Sequence, residues 1–301
     1  MNNSAASRPL AGIFWMLVTG ILFVAVTAVV KHLDGAVPAA QAAFLRYLLG
    51  LVFILPMIRP ILRARLTKRQ FKLFGIRGIV HTLAVMLWFY AMSQIPIAEV
   101  TAMNYLSPVY VTIGAALFLG EKLALRRIIA VCVALLGVLI ILRPGFREIE
   151  TGHLAMLGTA VLFAGGYLIA KQMSSEVNPV VIVGMLSLIV TVGLLPFAAA
   201  VWVTPTMTQL AWLFLVACFA TAGHYTMTLA FAAAPLTVTQ PVTFLQLVWA
   251  TLLGFFLFSE EIDILTVLGG TIILASVVFI SWREAKLKRK AVTPMVNATK
   301  V

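Results

Sequence analysis

Ten runs of about 20 apolar residues, joined by short connectors, account for most of this chain. They fall at roughly 10–30, 38–58, 73–93, 97–119, 124–142, 152–171, 180–200, 209–231, 237–258 and 263–282. A helix needs about 20 apolar residues to cross a ~30 Å hydrocarbon layer. In lipid every backbone N–H and C=O must be paired within the segment, which makes runs of this length helices. The expected fold is an all-α membrane protein with ten transmembrane helices. The connectors leave no room for a large soluble domain, so any function lies among the helices. The charged fraction of 11% agrees, since soluble domains carry about 25%.

The formal charge of +12 is unevenly placed. The connector after the second run carries Arg59, Arg63, Arg65, Lys68, Arg69, Lys72 and Arg77, the one after the fourth carries Lys122, Arg126 and Arg127, and the tail after the tenth reads "REAKLKRK". The alternate connectors are poor in positive charge: "SQIPIA" has none and "SEEID" is acidic, with Arg143 and Arg147 the exceptions. Positively charged loops stay in the cytoplasm, so both termini are expected inside. The basic face meets anionic lipid headgroups of the bilayer, and nucleic acid is not an expected partner. The first run is too long for the ~7–15-residue apolar core of a secretory signal and reads as a retained span. Cys132 and Cys218 lie in separate runs with no metal-ligand spacing near them, so no metal or cofactor is expected.

The chain also repeats itself. A shift of 140 residues lays "ILFVAVTAVVK" (21–31) over "VLFAGGYLIAK" (161–171), pairing Lys31 with Lys171, and brings Pro56 onto Pro196. A shift of 141 brings Pro38 onto Pro179. A shift of 139 brings Ala91 onto Ala230, Pro96 onto Pro235 and "ALFLGEKL" (116–123) onto "FFLFSEEI" (255–262), pairing Glu121 with Glu260. Five spans per unit is odd, so the second copy enters the membrane from the opposite side. The basic "LGEKLALRR" and its acidic counterpart "FSEEID" fit that inversion. Two inverted repeats around a midplane site are a common build of secondary transporters.

Two five-helix halves, "FLRY" in span two and "LSPVYVTIGAALFLGEKL" closing span four resemble the EamA branch of the drug/metabolite transporter superfamily. The resemblance spans residues ~10–283. It implies a cytoplasmic tail (1–9), a first EamA repeat (10–143), a linker (144–151), a second repeat (152–283) and a cytoplasmic C-terminal tail (284–301). It also implies a central cavity lined by spans 1, 3, 4, 6, 8 and 9. Family members move amino acids, riboflavin or S-adenosylmethionine, some outward and some inward.

Residues four apart in a helix share a face. Span one offers Thr19, Phe23, Thr27 and Lys31, and its counterpart offers Thr159, Phe163, Tyr167 and Lys171. Span four gives Thr101, Asn104, Ser107 and Tyr110; span nine gives Gln240, Thr243, Gln246 and Trp249. Polar groups facing lipid are costly, so these stripes either line a cavity or join helices. Span eight adds Thr221, His224, Tyr225 and Thr228, and span three adds His81 and Trp88. Histidine titrates near neutrality, which makes His81 and His224 candidates for proton coupling; the alternative is hydrogen-bonded packing. Tyr105, Trp15 and Tyr110 enlarge the aromatic set. Rings stack on rings and cations sit over them, pointing to a ring-containing or amine-bearing metabolite such as an amino acid or riboflavin.

Arg46 stands inside "AAFLRYLLGLVFILP", where a helix-centre charge costs about 2.5–3.5 kcal/mol even on lenient scales. Three readings are open. It pairs with Glu99, it holds a carboxylate or phosphate of the substrate, or it reaches the outer interface. No P-loop, zinc-protease or nucleophile-elbow motif occurs in the sequence, so neither ATP nor enzyme chemistry is expected. The expected activity is secondary transport across a bacterial inner membrane. A channel, or less favourably an intramembrane enzyme, is the alternative. Oligomeric state is not encoded in these features.

Overall fold

A computed structural model describes residues 9–33, 35–119, 125–146, 148–173, 176–234 and 239–292. The described chain is helical throughout: α1 (Pro9–His32), α2 (Ala39–Gly50), α3 (Ile58–Arg63), α4 (Lys68–Gln94), α5 (Ile97–Asn104), α6 (Leu106–Leu119), α7 (Leu125–Leu142), α8 (Thr151–Met173), α9 (Pro179–Ala200), α10 (Met207–Ala233), α11 (Phe244–Phe258) and α12 (Ile264–Val292). The pairing of Glu121 with Glu260 lies partly outside the described residues, as do Lys122, Arg147, the end of the C-terminal tail, and the side chains of Lys171, Thr228 and Gln240.

Among the described residues seven helices are long and apolar enough to cross a membrane: α1, α4, α7, α8, α9, α10 and α12. The other three apolar runs are not single helices, contrary to the simplest reading of their length. Run two leaves α2 for a 3-10 stretch at Leu51–Met57. Pro56 has no N–H to return to the turn before it, which disfavours an α-helix there. Run four breaks at Tyr105 between α5 and α6, where Pro108 cannot donate to the carbonyl of Asn104. Run nine opens as a 3-10 turn, Gln240–Thr243, before α11. The last two breaks are equivalent under the 139-residue shift, which carries Tyr105 onto Phe244.

Helix starts repeat as well. Thr67 caps α4 by accepting from Gln70 N–H at 3.2 Å, while Gln70 Oε1 accepts from Thr67 N–H at 3.0 Å. Thr206 and Gln209 build the same reciprocal box on α10, at 3.2 and 2.9 Å. Each box satisfies two backbone donors that the first turn leaves unpaired. A shift of 139 residues carries one box onto the other.

Packing follows the duplication. α1 packs along α10 and α4 along α8, and the shift exchanges these two contacts. α2 packs on α9 and α7 on α12, so each of these meets its own counterpart, while α5 packs on α11, the counterpart of α6. That pattern is what a pseudo-two-fold axis between halves produces. At the α7–α12 crossing the backbones touch: a Cβ on Gly137 would lie 2.7 Å from the carbonyl oxygen of Gly269. Such small-residue contacts suit a bilayer, where close packing rather than hydrophobic burial joins helices. Many large apolar side chains stay exposed on the outer surface, among them Ile21, Leu136, Val192 and Phe256, as lipid-facing positions require. The chain is a multi-pass membrane protein.

The two ends of the bundle are distinguished by α4. Arg69, at its start, bonds Glu176, whereas Ile95, just past its end, accepts from Lys31 Nζ at 3.2 Å. Twenty-seven helical residues at 1.5 Å each separate these points by about 40 Å.

Candidate functional site

A cavity of about 230 Å³ opens between the halves, walled by α1, α2, α4, α5, α6, α8, α10, the start of α11, and α12. From α1 come Thr19, Phe23 and Thr27; from α2, Arg46 and Tyr47; from α4, His81 and Trp88; from α5, Thr101 and Asn104. Tyr105 sits at the break itself, and Ser107 follows on α6. α8 contributes Phe163 and Tyr167, α10 contributes His224, and the α11 region contributes Thr243 and Gln246. The break at Tyr105 matters here, because its hydroxyl donates to the carbonyl of Thr243 at 2.8 Å. That bond ties the two equivalent breaks together across the axis.

One wall is aromatic. Tyr47 Oη lies 2.9 Å from His81 Nε2, and the His81 ring is 5.1 Å from that of Phe163. Phe163 meets Trp88 edge-on at 6.2 Å and stacks on Tyr167 at 6.1 Å. Opposite, Phe23 and His224 meet edge-on at 5.2 Å. These rings make an aromatic slot in the wall, and planar groups can stack on faces of this kind.

Polar groups on the wall divide into two kinds. Thr19 donates to the carbonyl of Trp15 at 2.8 Å and shares a 2.8 Å hydroxyl bond with Thr226 of α10. Thr101 donates to the carbonyl of Ile97 at 2.9 Å, and Thr159, off the cavity, donates to Ala84 of α4 at 3.4 Å. These hydroxyls are occupied in joining or bracing helices. Trp88 Nε1 and Ser107 Oγ, by contrast, have no hydrogen-bond partner among the described residues. A buried donor left unmade costs about 1–3 kcal/mol, and such a cost marks places where a ligand can bond.

Several sequence expectations need correction. Tyr225 and Trp249 were expected on the cavity but are 61% and 39% exposed and do not line it. Tyr225 follows His224 directly, about 100° further round the helix, which turns it toward the bundle exterior. Gln240 is placed only by its backbone. Lys31 does not line the cavity either. It pairs with Glu260, which also accepts from Ile97 N–H at 3.1 Å. Ser259 in the left-handed region (φ 54°) closes α11 and turns Glu260 back over it, where its carboxylate lies against Gly254. Glu99 does not pair with Arg46. It meets His153 of α8 at 2.5 Å, both buried, while Arg46 stays on the cavity wall with its guanidinium 4.1 Å from the Tyr47 ring centroid.

Sequence reading also missed residues. Arg77, counted with the basic connector, is buried within α4 and donates to the carbonyl of Ile182 at 3.2 Å; it lies one turn before His81. Tyr47 and His153 were overlooked. Tyr47 was legible as the neighbour of Arg46 in "FLRY", but His153, at the start of an apolar run, gave no signal. Outside the membrane-spanning helices, Glu176 is held below the usual carboxylate range by its bonds to Arg69 and Gln70.

Contacts between the halves occur at both ends, with Arg69–Glu176 at the start of α4 and a larger set at the Glu260 end. Besides Lys31–Glu260 and Glu99–His153, Arg143 pairs with Asp263. Gln41 exchanges two hydrogen bonds with the backbone of Val203, at 2.6 and 2.9 Å.

Comparison with known proteins places these features in context. The EamA-like transporter family matches at residues 10–143 and again at 150–282. A riboflavin transporter of Vibrio cholerae is 29% identical over 95% of this chain and 98% of its own length. An S-adenosylmethionine uptake transporter of Rickettsia bellii is 26% identical over 96% of this chain and all of its own. A solved crystal structure, 20% identical, superimposes with a TM-score of 0.61 over 94% of this chain and 99% of that one.

Proposed function

Because the chain belongs to the EamA-like transporter family, we propose that it is a secondary carrier of a small ring-containing metabolite. It works across a bacterial inner membrane by alternating access, with both termini in the cytoplasm. The observation that carries this reading is one cavity walled by both halves on their pseudo-two-fold axis. Two halves so related can exchange conformations and open the same cavity to either side. The buried cross-half pairs Lys31–Glu260 and Glu99–His153 lie at the Glu260 end, whereas Arg69–Glu176 at the other end is solvent-exposed, and this difference supports a state closed on the Glu260 side. The positive-inside asymmetry makes it the outer side.

The aromatic slot supports a planar substrate of the riboflavin or aromatic amino acid kind. His81 and His224, both on the wall, are the groups proposed for proton coupling. Purified protein in liposomes should show saturable uptake of labelled riboflavin or an aromatic amino acid, accelerated by unlabelled substrate on the far side. Flux that neither saturates nor responds to counter-substrate would favour a channel, and chemical conversion of the compound would favour an enzyme.

A further inference from the structure

On the carrier reading, we infer that the cavity is an anion site, so that the substrate is a planar ring compound carrying a carboxylate or phosphate. Among the described lining residues Arg46 is the only permanently charged one, and none is Asp or Glu. Its described contact is the face of the Tyr47 ring. No described carboxylate is within ion-pair distance of it. Behind the same wall Arg77 adds a second buried positive charge, one turn from His81, with its Nε unpartnered among the described residues.

A charge inside a membrane protein is retained when it pairs or binds a ligand. Among the described residues Arg46 has no acid partner, because Glu99, which the sequence suggested, is engaged by His153. The neighbouring polar groups fit the same ligand chemistry. Trp88 Nε1 can only donate, and Ser107 Oγ, Asn104 and Gln246 can each supply a donor, so an acceptor-rich group is satisfied here. A guanidinium presents its N–H groups as a planar fork that matches carboxylate and phosphate oxygens. An ammonium or sulfonium group, by contrast, meets Arg46 and finds no carboxylate.

The test uses purified full-length protein and ligand pairs that share a ring and differ in charge. Indole-3-acetate is compared with tryptamine, and riboflavin 5′-phosphate with riboflavin, by equilibrium binding. The expected result is tighter binding of each anion by roughly ten- to a hundredfold, the worth of a charge-assisted hydrogen bond. In Arg46→Gln the preference should vanish, and Arg46→Lys should keep part of it. The wild-type ranking stands alone if a variant fails to fold. If only indole-3-acetate gains over its partner, the anion is a carboxylate; if only the flavin phosphate gains, it is a phosphate. Equal or tighter binding of the uncharged or cationic partner in both pairs would overturn the inference. So would failure of both anions to bind at millimolar concentration, or a preference unchanged in Arg46→Gln. Anion-selective binding without flux in liposomes would defeat the carrier reading and leave the site standing; counterflow selective for tryptamine would do the reverse.

Discussion

His153 Nε2 lies 2.5 Å from Glu99 Oε2, while His153 Nδ1 accepts the Glu150 backbone N–H at 3.1 Å. An acceptor Nδ1 carries no proton, so the ring is the Nε2–H tautomer and donates to the carboxylate. The pair joins α5 of the first half to α8 of the second. Losing a buried hydrogen bond to a charged group costs about 1.5–3 kcal/mol. His153→Ala and Glu99→Ala are each expected to lower the thermal midpoint and the yield of monodisperse protein. His153→Gln, whose amide can still donate to Glu99, should recover part of the loss. Unchanged melting in both alanine variants would remove the pair from any role in holding the halves together.

Lys31 and Glu260 are expected to act as a latch. Losing a hydrogen bond to a charged group costs about 1.5–3 kcal/mol, enough to shift a balanced two-state equilibrium by tenfold or more. In a background lacking Cys132 and Cys218, a cysteine replacing the cavity residue Met227 should react faster with an impermeant maleimide added outside cells when Glu260 is Gln. The exchange Lys31→Glu with Glu260→Lys should return the rate toward the parent. No change in rate would assign the pair to static packing.

The cavity polar groups give a separate test. Asn104 and Gln246 line the cavity with no described side-chain hydrogen bond. Each is expected to lose about tenfold in transport efficiency when changed to Ala, the worth of roughly one hydrogen bond, with melting unaffected. Thr101→Val should behave in the opposite sense, since its hydroxyl is spent on Ile97. Equal transport in Asn104→Ala and Gln246→Ala would place that stripe with the helix-joining residues.

At the α7–α12 crossing, Gly137→Val would drive a side chain into the Gly269 backbone. Overpacking costs about 1–3 kcal/mol and sometimes more, so this variant should melt lower or fail to fold. Gly50→Ala, at a position with open space around it, should not.

Glu176 supplies a pH test at the opposite end. Arg69 and Gln70 hold its carboxyl below the usual range, so its contribution is present above the unfolded carboxylate range and is lost as pH falls through the depressed folded value. The stability difference between parent and Glu176→Gln should shrink as the medium is acidified from neutral. Because the pair is solvent-exposed, the effect should be small and weaker in high salt. A difference that grows on acidification would contradict the assignment.

Some of this was written in one dimension. Apolar run length fixed the helical class, because lipid forces backbone polar groups to pair within the segment. The 139–141-residue shifts revealed the duplication, and helical spacing put Thr19, Phe23 and Thr27 on a common face that the cavity uses. The capping boxes at Thr67 and Thr206, which the sequence reading passed over, fall at the same 139-residue shift and strengthen the repeat. What sequence could not supply was partner choice. Position along a helix sets depth in the membrane, but which neighbour a face meets depends on how helices distant in sequence are packed. Glu99 therefore found His153 across the axis instead of Arg46, Arg77 turned inward from a basic connector, and Tyr225 turned outward beside His224. The interrupted spans have the same origin: a proline shows where a hydrogen bond is missing, but only the packed neighbours decide whether the helix breaks there, as at Tyr105, or runs through, as at Pro196.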